Sequence, residues 1–119
     1  MKREYGDYIR DIIDAINKTQ EFTKGATYDS FQKDEKSIFA VIRALEVIGE
    51  AVKSLPVSVR NKYPDIPWKE IAGMRDKLIH GYFGVKIEVV WDTIQSEIPD
   101  LKPKFEKILK EVESVKGEL

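Results

Sequence analysis

The apolar residues of this chain recur with a helical period along almost its whole length, and this periodicity restricts the fold more than any other feature. From Tyr5 to Phe22 they stand mostly three or four positions apart, which places them on one side of a helix. The same spacing returns in four later segments, Ser30–Leu55, Trp68–Ile79, Ile87–Ile98 and Leu101–Val115. No segment alternates as a half-buried strand does. The sequence therefore predicts an all-α, antiparallel up-and-down helical bundle of about five helices and short turns.

Length and composition limit the class of protein. A chain of 119 residues suits a single helical domain, residues 1–119, and 42% hydrophobic with 34% charged residues is typical of a globular protein. The absence of Cys and the single His exclude thiolate zinc sites, a Cys nucleophile and a His cluster within one chain. No apolar run approaches the ~18 residues of a membrane span, and the N-terminus lacks an apolar signal core. We therefore expect no membrane association and a cytoplasmic location.

Turn and cap residues predict where the helices begin and end. Gly25 is a candidate for the left-handed residue after the first helix, and Thr27 or Asp29 could cap the next one. Pro99-Asp100 is expected to separate the last two helices. Pro103 would then fall in the first turn of the final helix, where its missing N–H is harmless.

Charge is unevenly distributed along the chain. The net charge of −1, from 20 basic and 21 acidic residues, argues against a dedicated electrostatic nucleic-acid binder. Residues 53–86 nevertheless carry +4, so the remainder carries −5. The basic residues of this middle region are Lys53, Arg60, Lys62, Lys69, Arg75, Lys77 and Lys86. The middle of the chain is therefore the favoured place to meet an anion.

Arg75 and His80 are the candidate chemical groups. Arg75 falls in line with an apolar stripe, so its guanidinium needs a partner or a cleft. His80 lies about 140° around the helix and about 7.5 Å along it, so spacing alone does not pair the two residues. Spacing alone favours structural roles instead: His80 at a helix C-terminus with Asp76 one turn before it, Arg75 packing its stem, and Tyr82 as a core aromatic. Asp76 and His80 are too few ligands for a dedicated metal site.

A resemblance to a known family favours functional roles for these residues instead. The signature R-x4-H-x-Y of the HEPN superfamily, specifically of HepT-like toxins, resembles the segment Arg75-Asp76-Lys77-Leu78-Ile79-His80-Gly81-Tyr82. The resemblance covers most of the chain in order. It extends over residues 40–51, 66–75 and 90–94, which are similar to the family's second helix, to the lead-in to its signature and to its next helix.

This resemblance implies a function. Members of the family are small helical bundles that dimerise through the helices bearing the motif. They are metal-independent endoribonucleases that act as toxins beside a small nucleotidyltransferase antitoxin. In the best understood type, this partner transfers AMP to the motif tyrosine, here Tyr82, which would add bulk and negative charge beside the site.

The chemistry of RNA cleavage fits the residues that the chain offers. Attack by the 2′-OH needs one proton removed, one proton given to the 5′ oxygen, and neutralisation of charge on the phosphate. His80 suits the proton transfers and Arg75 the phosphate oxygens. One chain supplies one acid–base group where two are needed, and a homodimer supplies two. We therefore expect Arg75 and His80 to be catalytic, Asp76 and Tyr82 to support them, and no metal or cofactor.

Two other hypotheses remain open. The chain could be a non-catalytic subunit that presents a nucleotide or substrate to a separate nucleotidyltransferase. It could also be a purely structural bundle, which requires that Arg75 and His80 be satisfied separately and lie far from any groove. Two observations argue against a ribonuclease. The net charge is near neutral, although the local charge of +4 in residues 53–86 weakens this objection. Many HEPN proteins also bind nucleotides or partners without demonstrated cleavage.

Overall fold

The computed structural model describes the backbone of residues 4–80 and 86–118 and the side chains of residues 4–74 and 86–114. Within these ranges the chain forms seven α-helices and one π-helical turn, without strands. The elements are α1 (Tyr5–Phe22), α2 (Tyr28–Gln32), α3 (Glu35–Ser54), α4 (Val57–Asn61), α5 (Trp68–His80), α6 (Ile87–Asp92), the π turn (Thr93–Glu97) and α7 (Ile98–Glu118). The all-α prediction is confirmed.

Helix α3 lies at the centre of the bundle, where it packs against α1 on one side and α5 on the other. Its apolar face is wide because small residues, Ala44 and Ala51, are buried beside the larger Leu45 and Ile48. Helices α1 and α7 also pack together. The largest fully buried side chains, Phe31 among them, join these helices into one apolar core.

Contacts between α1 and α7 show that these two helices run antiparallel. Arg10, near the start of α1, lies 3.7 Å from Glu113 near the end of α7, and Gln20 Oε1 accepts a hydrogen bond from Lys102 at 3.4 Å. The helices approach closely where α1 begins. A Cβ atom on Gly6 would lie only 3.2 Å from Val112 Cγ1.

The predicted start of the second helix, near Ser30, is wrong. The structure divides the segment from Ser30 to Leu55 between two helices, α2 and α3. Asp34 begins α3: its carboxylate accepts hydrogen bonds from the Ser37 hydroxyl at 2.6 Å and the Ser37 amide at 3.2 Å. The Ser37 hydroxyl and amide lower the pKa of the Asp34 carboxyl below its usual value. Of the two candidate caps for the preceding helix, Thr27 caps α2, where it accepts from the Ser30 amide. Gly25 is left-handed, as predicted, with φ of 77°.

Pro99 does not separate the last two helices, so this boundary prediction is also wrong. Helix α6, the π turn and α7 follow one another without a break from residue 87 to residue 118. A proline in a helix removes a hydrogen bond and crowds the carbonyl four residues earlier, here that of Gln95. The wider π turn, closed by the bond from the Ile98 amide to the Thr93 carbonyl, spans that carbonyl and lets the helix continue. Pro103 consequently lies inside α7 and not in its first turn.

None of the helices in the described part of the chain combines the length and the apolar character that crossing a membrane requires.

Candidate functional site

Helix α5 carries three of the four predicted site residues, and its first turns are firmly anchored. The Trp68 indole N–H donates to the Tyr63 carbonyl at 3.0 Å. The Trp68 ring meets Phe105 of α7 edge-on, with ring centroids 5.7 Å apart. Ile71, one turn further on, is buried in the core. These contacts fix the direction of α5 before it reaches the signature.

Arg75, Asp76 and His80 all lie on one helix, α5. Their backbone belongs to α5, whereas their side chains lie outside the described residues. Tyr82 lies outside the described residues altogether. The convergence of these four groups, the Asp76–His80 interaction and the contacts of Tyr82 therefore stay predictions.

The register of α5 separates two rows of positions. Lys69, Gly73, Asp76 and His80 follow one another at intervals of four, three and four residues, so they share one side of an ideal helix within an arc of about 60°. Arg75 instead continues the row that begins at Trp68 and Ile71, on the side of α5 that faces the core. On a regular helix Arg75 and His80 therefore lie on different rows, and their relation in the site stays a prediction.

An open groove of about 570 Å³ lies along the first of these rows, between the end of α3, helix α4 and the start of α5. We call it the basic groove, because Lys53, Arg60 and Lys69 line it and its described lining contains no carboxylate. The remaining lining residues are Val57, Asn61, Trp68, Ala72 and Gly73. Three cations from three helices therefore converge beside the row of α5 that continues to His80.

Arg60 is the most deeply placed cation of the basic groove. Its Nε is buried, and no hydrogen-bond partner for this atom is found among the described residues. A buried guanidinium N–H without an acceptor costs free energy. Arg60 also lines the groove, so its guanidinium contributes positive charge to that surface.

The opposite side of α5 borders a second groove of about 830 Å³, between α5 and the α6–α7 run. Its charged lining is mixed: Glu70, Glu97 and Asp100 face Lys86 and Lys104. The two sides of α5 therefore differ in charge. Of the two grooves, the one between α3, α4 and α5 holds the basic excess of the middle region.

The described residues contain no group of three or more His, Asp or Glu side chains that could hold a metal ion. Asp76 and His80, the two candidate ligands named from the sequence, fall outside that search because their side chains are not described. On the outer face of α3, Arg43 lies 3.2 Å from Glu46 and 3.5 Å from Glu50. Arg43 and Glu50 are exposed to solvent, so this ion-pair row contributes little to stability.

Sequence reasoning identified the basic middle region but not the group of residues that forms the basic groove. Lys53, Arg60 and Lys69 are separated by seven and nine positions on three different helices, so no helical period connects them. In the sequence, this groove is indicated by the excess of basic residues over residues 53–86. Only the turns around α4 bring the three cations to one place.

Comparison with known proteins places the chain in a sequence family. A family model described as "Ribonuclease HepT-like" matches residues 12–108, a range that includes the α5 signature. "Probable ribonuclease HepT" of Thermococcus cleftensis is 53% identical over 110 residues, covering 92% of this chain and 100% of that protein. A "Putative RNase" of Methanocaldococcus jannaschii is 50% identical over 112 residues, covering 94% of this chain and 93% of that protein.

A relative from a third organism extends this similarity. A "Putative RNase" of Caldanaerobacter subterraneus is 48% identical over 102 residues, covering 86% of this chain and 91% of that protein. No solved structure matches the chain.

Proposed function

Because this chain belongs to the HepT-like ribonuclease family, we propose that it is a metal-independent endoribonuclease whose catalytic groups are Arg75 and His80. Membership of this family over residues 12–108 is the observation that carries the proposal, since the matched range contains the R-x4-H-x-Y spacing. The basic groove beside the same helix supports a polyanionic substrate.

The proposed reaction uses the nucleophile that RNA itself provides. The 2′ oxygen loses its proton to an imidazole and attacks phosphorus, the bond from phosphorus to the 5′ oxygen breaks, and that oxygen takes up a proton. The products are a 2′,3′-cyclic phosphate and a free 5′-OH. The Arg75 guanidinium offers paired N–H donors to the phosphate oxygens as charge accumulates on them.

A homodimer supplies the second acid–base group. The chain has one His, whereas the reaction needs one group that accepts a proton and one that donates it. In a two-fold dimer the same α5 positions occur twice around one axis, so His80 of each copy can take one role. Asp76 would orient His80 or Arg75, and Tyr82 would hydrogen-bond a phosphate oxygen.

We expect purified protein to cleave single-stranded RNA in the presence of EDTA, and we expect His80→Ala to lower kcat at least 100-fold, because general acid–base groups contribute about 10²–10⁴ in rate. The measurement is the cleavage rate at fixed dimer concentration, with a thermal melt of each variant. Lys33→Ala is the control, since Lys33 is exposed at the C-terminal end of α2, where it pairs with Asp29. Full activity in His80→Ala would remove His80 from the mechanism.

We propose further that this ribonuclease is the toxin of a pair in which a minimal nucleotidyltransferase transfers AMP to Tyr82. The Tyr82 oxygen would attack the α-phosphorus of ATP, releasing pyrophosphate and the phenolic proton. The bulky, negatively charged product would then repel RNA phosphates from the site.

Incubation with the nucleotidyltransferase and ATP should add one adenylyl group to the peptide containing Tyr82 and abolish RNA cleavage. Tyr82→Phe should block the mass increase. An unchanged mass, with a partner shown to be active on ATP, would contradict Tyr82 as the acceptor. Stable co-purification of the pair, with no RNA cleavage by the free chain under any condition, would favour the non-catalytic subunit instead.

A further inference from the structure

We propose that the second groove, between α5 and the α6–α7 run, is a docking surface for an amphipathic helix of another protein, one whose apolar face is flanked by Lys or Arg side chains. The groove lies on the side of α5 opposite the basic groove. This inference goes beyond the proposed ribonuclease function, because it assigns a protein-binding surface that no step of RNA cleavage uses.

The packing of α5 leaves this groove open. The close contacts of α5 in the described part of the chain are with α3, and α5 meets α7 at its first turn, where Trp68 contacts Phe105. Beyond that turn, a space of about 830 Å³ lies between α5 and the α6–α7 run. Its wall on the run extends from Lys86 to Lys104, which is about 27 Å along a helix axis. A groove between two helices is the shape that receives the apolar face of a third.

Apolar side chains are accessible inside the groove. Val89 of α6 is 38% exposed, Pro67 is exposed and Met74 is half-buried, and all three line the space. The deeper lining consists of core residues such as Leu45 and Ile71. Hydration of the exposed apolar surface is unfavourable, so a partner that covers it with an apolar row gains free energy.

Carboxylates on both walls decide the chemistry of the partner. Glu70 lies on α5, and Glu97 and Asp100 lie on the opposite wall, about one turn apart. All three are exposed, and none of these carboxylates has an ion pair or a hydrogen bond with a described residue. Of the two cations in the described lining, Lys104 already donates to the Asp65 carbonyl at 3.1 Å. A helix with cations on both sides of its apolar face therefore complements the groove in charge.

The test uses two synthetic helical peptides of about 18 residues, the length that spans the groove wall. Both present the same leucine face, and the positions that flank it are Lys in one peptide and Glu in the other. Fluorescence anisotropy of the labelled peptides measures their binding to the protein. The Lys-flanked peptide should bind about tenfold more tightly, because attractive contacts with three carboxylates replace repulsive ones. Equal affinities, or tighter binding of the Glu-flanked peptide, would overturn the proposal.

Charge reversal on one wall tests the carboxylates. Glu97→Lys/Asp100→Lys should weaken the Lys-flanked peptide by about tenfold and strengthen the Glu-flanked one, because two attractive contacts become repulsive. The matched control, Glu21→Lys/Glu106→Lys, makes the same change of net charge at exposed residues of α1 and α7 outside the groove. A control that shifts both affinities as far would show that net charge alone selects the peptide, and the proposal would fail.

A milder variant keeps this test decisive if a thermal melt shows that the charge reversal unfolds the protein. Glu97→Gln/Asp100→Asn removes the two charges without reversing them. It should reduce the preference for the Lys-flanked peptide by about threefold, since two attractive contacts are lost and no repulsive ones are added. An undiminished preference would remove the carboxylates from the docking surface.

Removal of apolar surface tests the other half of the proposal. Val89→Gln should weaken the Lys-flanked peptide by about fivefold, because less apolar surface is covered on binding. Val57→Gln is the matched control, since Val57 is 60% exposed on α4 and is not part of the described lining of this groove. Equal losses in the two variants, or no loss in Val89→Gln, would contradict docking in the groove.

Sedimentation of the free protein distinguishes a second copy of the chain as the occupant. The groove variants should keep the oligomeric state of the wild type. A dimer that dissociates in Val89→Gln but not in Val57→Gln would show that a second copy covers the groove, and it would overturn the assignment to another protein. His80→Ala should bind both peptides as the wild type does, so failure of the ribonuclease proposal and failure of this one are observed separately.

Discussion

Gly25 shows how far one residue can be understood from sequence. It has a positive φ, 77°, and lies three residues after the end of α1, in the turn that leads to α2. A side chain there would meet no atom within 4 Å, so its cost would come from the backbone and not from a clash. A left-handed backbone disfavours every residue with a Cβ, and for this reason the position could be predicted from the Lys24-Gly25 pair alone.

We expect Gly25→Ala to lower the free energy of unfolding by about 1 kcal/mol. In a left-handed backbone the Cβ of alanine lies too close to the following carbonyl oxygen, and glycine has no Cβ. Gly73→Ala is the matched control: Gly73 lies inside α5, and among the described residues no atom lies within 4 Å of the new Cβ, so alanine should stabilise by about 0.5–1 kcal/mol. Urea denaturation of the two variants measures both changes. A stabilised Gly25→Ala would contradict the assigned backbone conformation.

Arg60 could not be understood in this way. In the sequence it is one of seven basic residues of the middle region, and nothing distinguishes it from Lys62. The structure buries the Arg60 Nε in the wall of the basic groove, whereas Lys62 is exposed. The difference arises from which side of one short helix faces α5, and α4 is too short for its apolar period to reveal that side.

At the scale of elements, the segment between α4 and α5 is held to α7 by polar contacts. The Tyr63 hydroxyl donates to the Glu111 carboxylate, and Lys104 donates to the Asp65 carbonyl at 3.1 Å. Burial, followed by the hydrogen bond to Glu111 and its negative charge, raises the pKa of Tyr63 to about 12. These contacts position the start of α5, and thereby one wall of the basic groove.

The raised pKa predicts a loss of stability at alkaline pH. An unfolded tyrosine ionises near pH 10, so the folded chain favours the neutral phenol. The contribution of Tyr63 is fully present below pH 10 and is lost as the pH rises from 10 through about 12. We expect Tyr63→Phe to lower stability by about 1 kcal/mol at pH 7 and to flatten this alkaline decline.

The measurement is urea unfolding at a series of pH values, with the phenolate absorbance difference between wild type and Tyr63→Phe as the titration of this residue. Glu111→Gln is the companion variant. It keeps a hydrogen-bond acceptor but removes the charge, so the pKa of Tyr63 should fall part of the way towards 10. An unchanged titration in Glu111→Gln would show that the charge of Glu111 does not raise the pKa of Tyr63.

Element boundaries were the least predictable part of the fold. The break between α2 and α3 depends on Asp34, whose carboxylate binds the Ser37 amide and hydroxyl, and the apolar pattern continues across it. The continuation of helix through Pro99 depends on the π turn before it. Both outcomes arise from competition between local hydrogen bonding and packing, and packing is decided by neighbours that are distant in sequence.

At the scale of the whole molecule, the predicted all-α bundle is confirmed for the described residues, and its centre is α3. The apolar period predicted which side of each long helix is buried, as Ile9, Ile48 and Phe105 show with 1% exposure or less. It did not predict which helices become neighbours. The contacts of α3 with α1 and α5, and of α1 with α7, follow from shape complementarity, including the close approach at Gly6.

The sequence by itself determined the helical class, the buried faces, the left-handed turn at Gly25 and the family signature from Arg75 to Tyr82. Each of these depends on residues a few positions apart, where periodicity and backbone preference act directly. Only the tertiary structure decided that Lys53, Arg60 and Lys69 share one groove beside α5. Convergence of charges from three helices depends on how the helices pack, and packing is a property of the complete core.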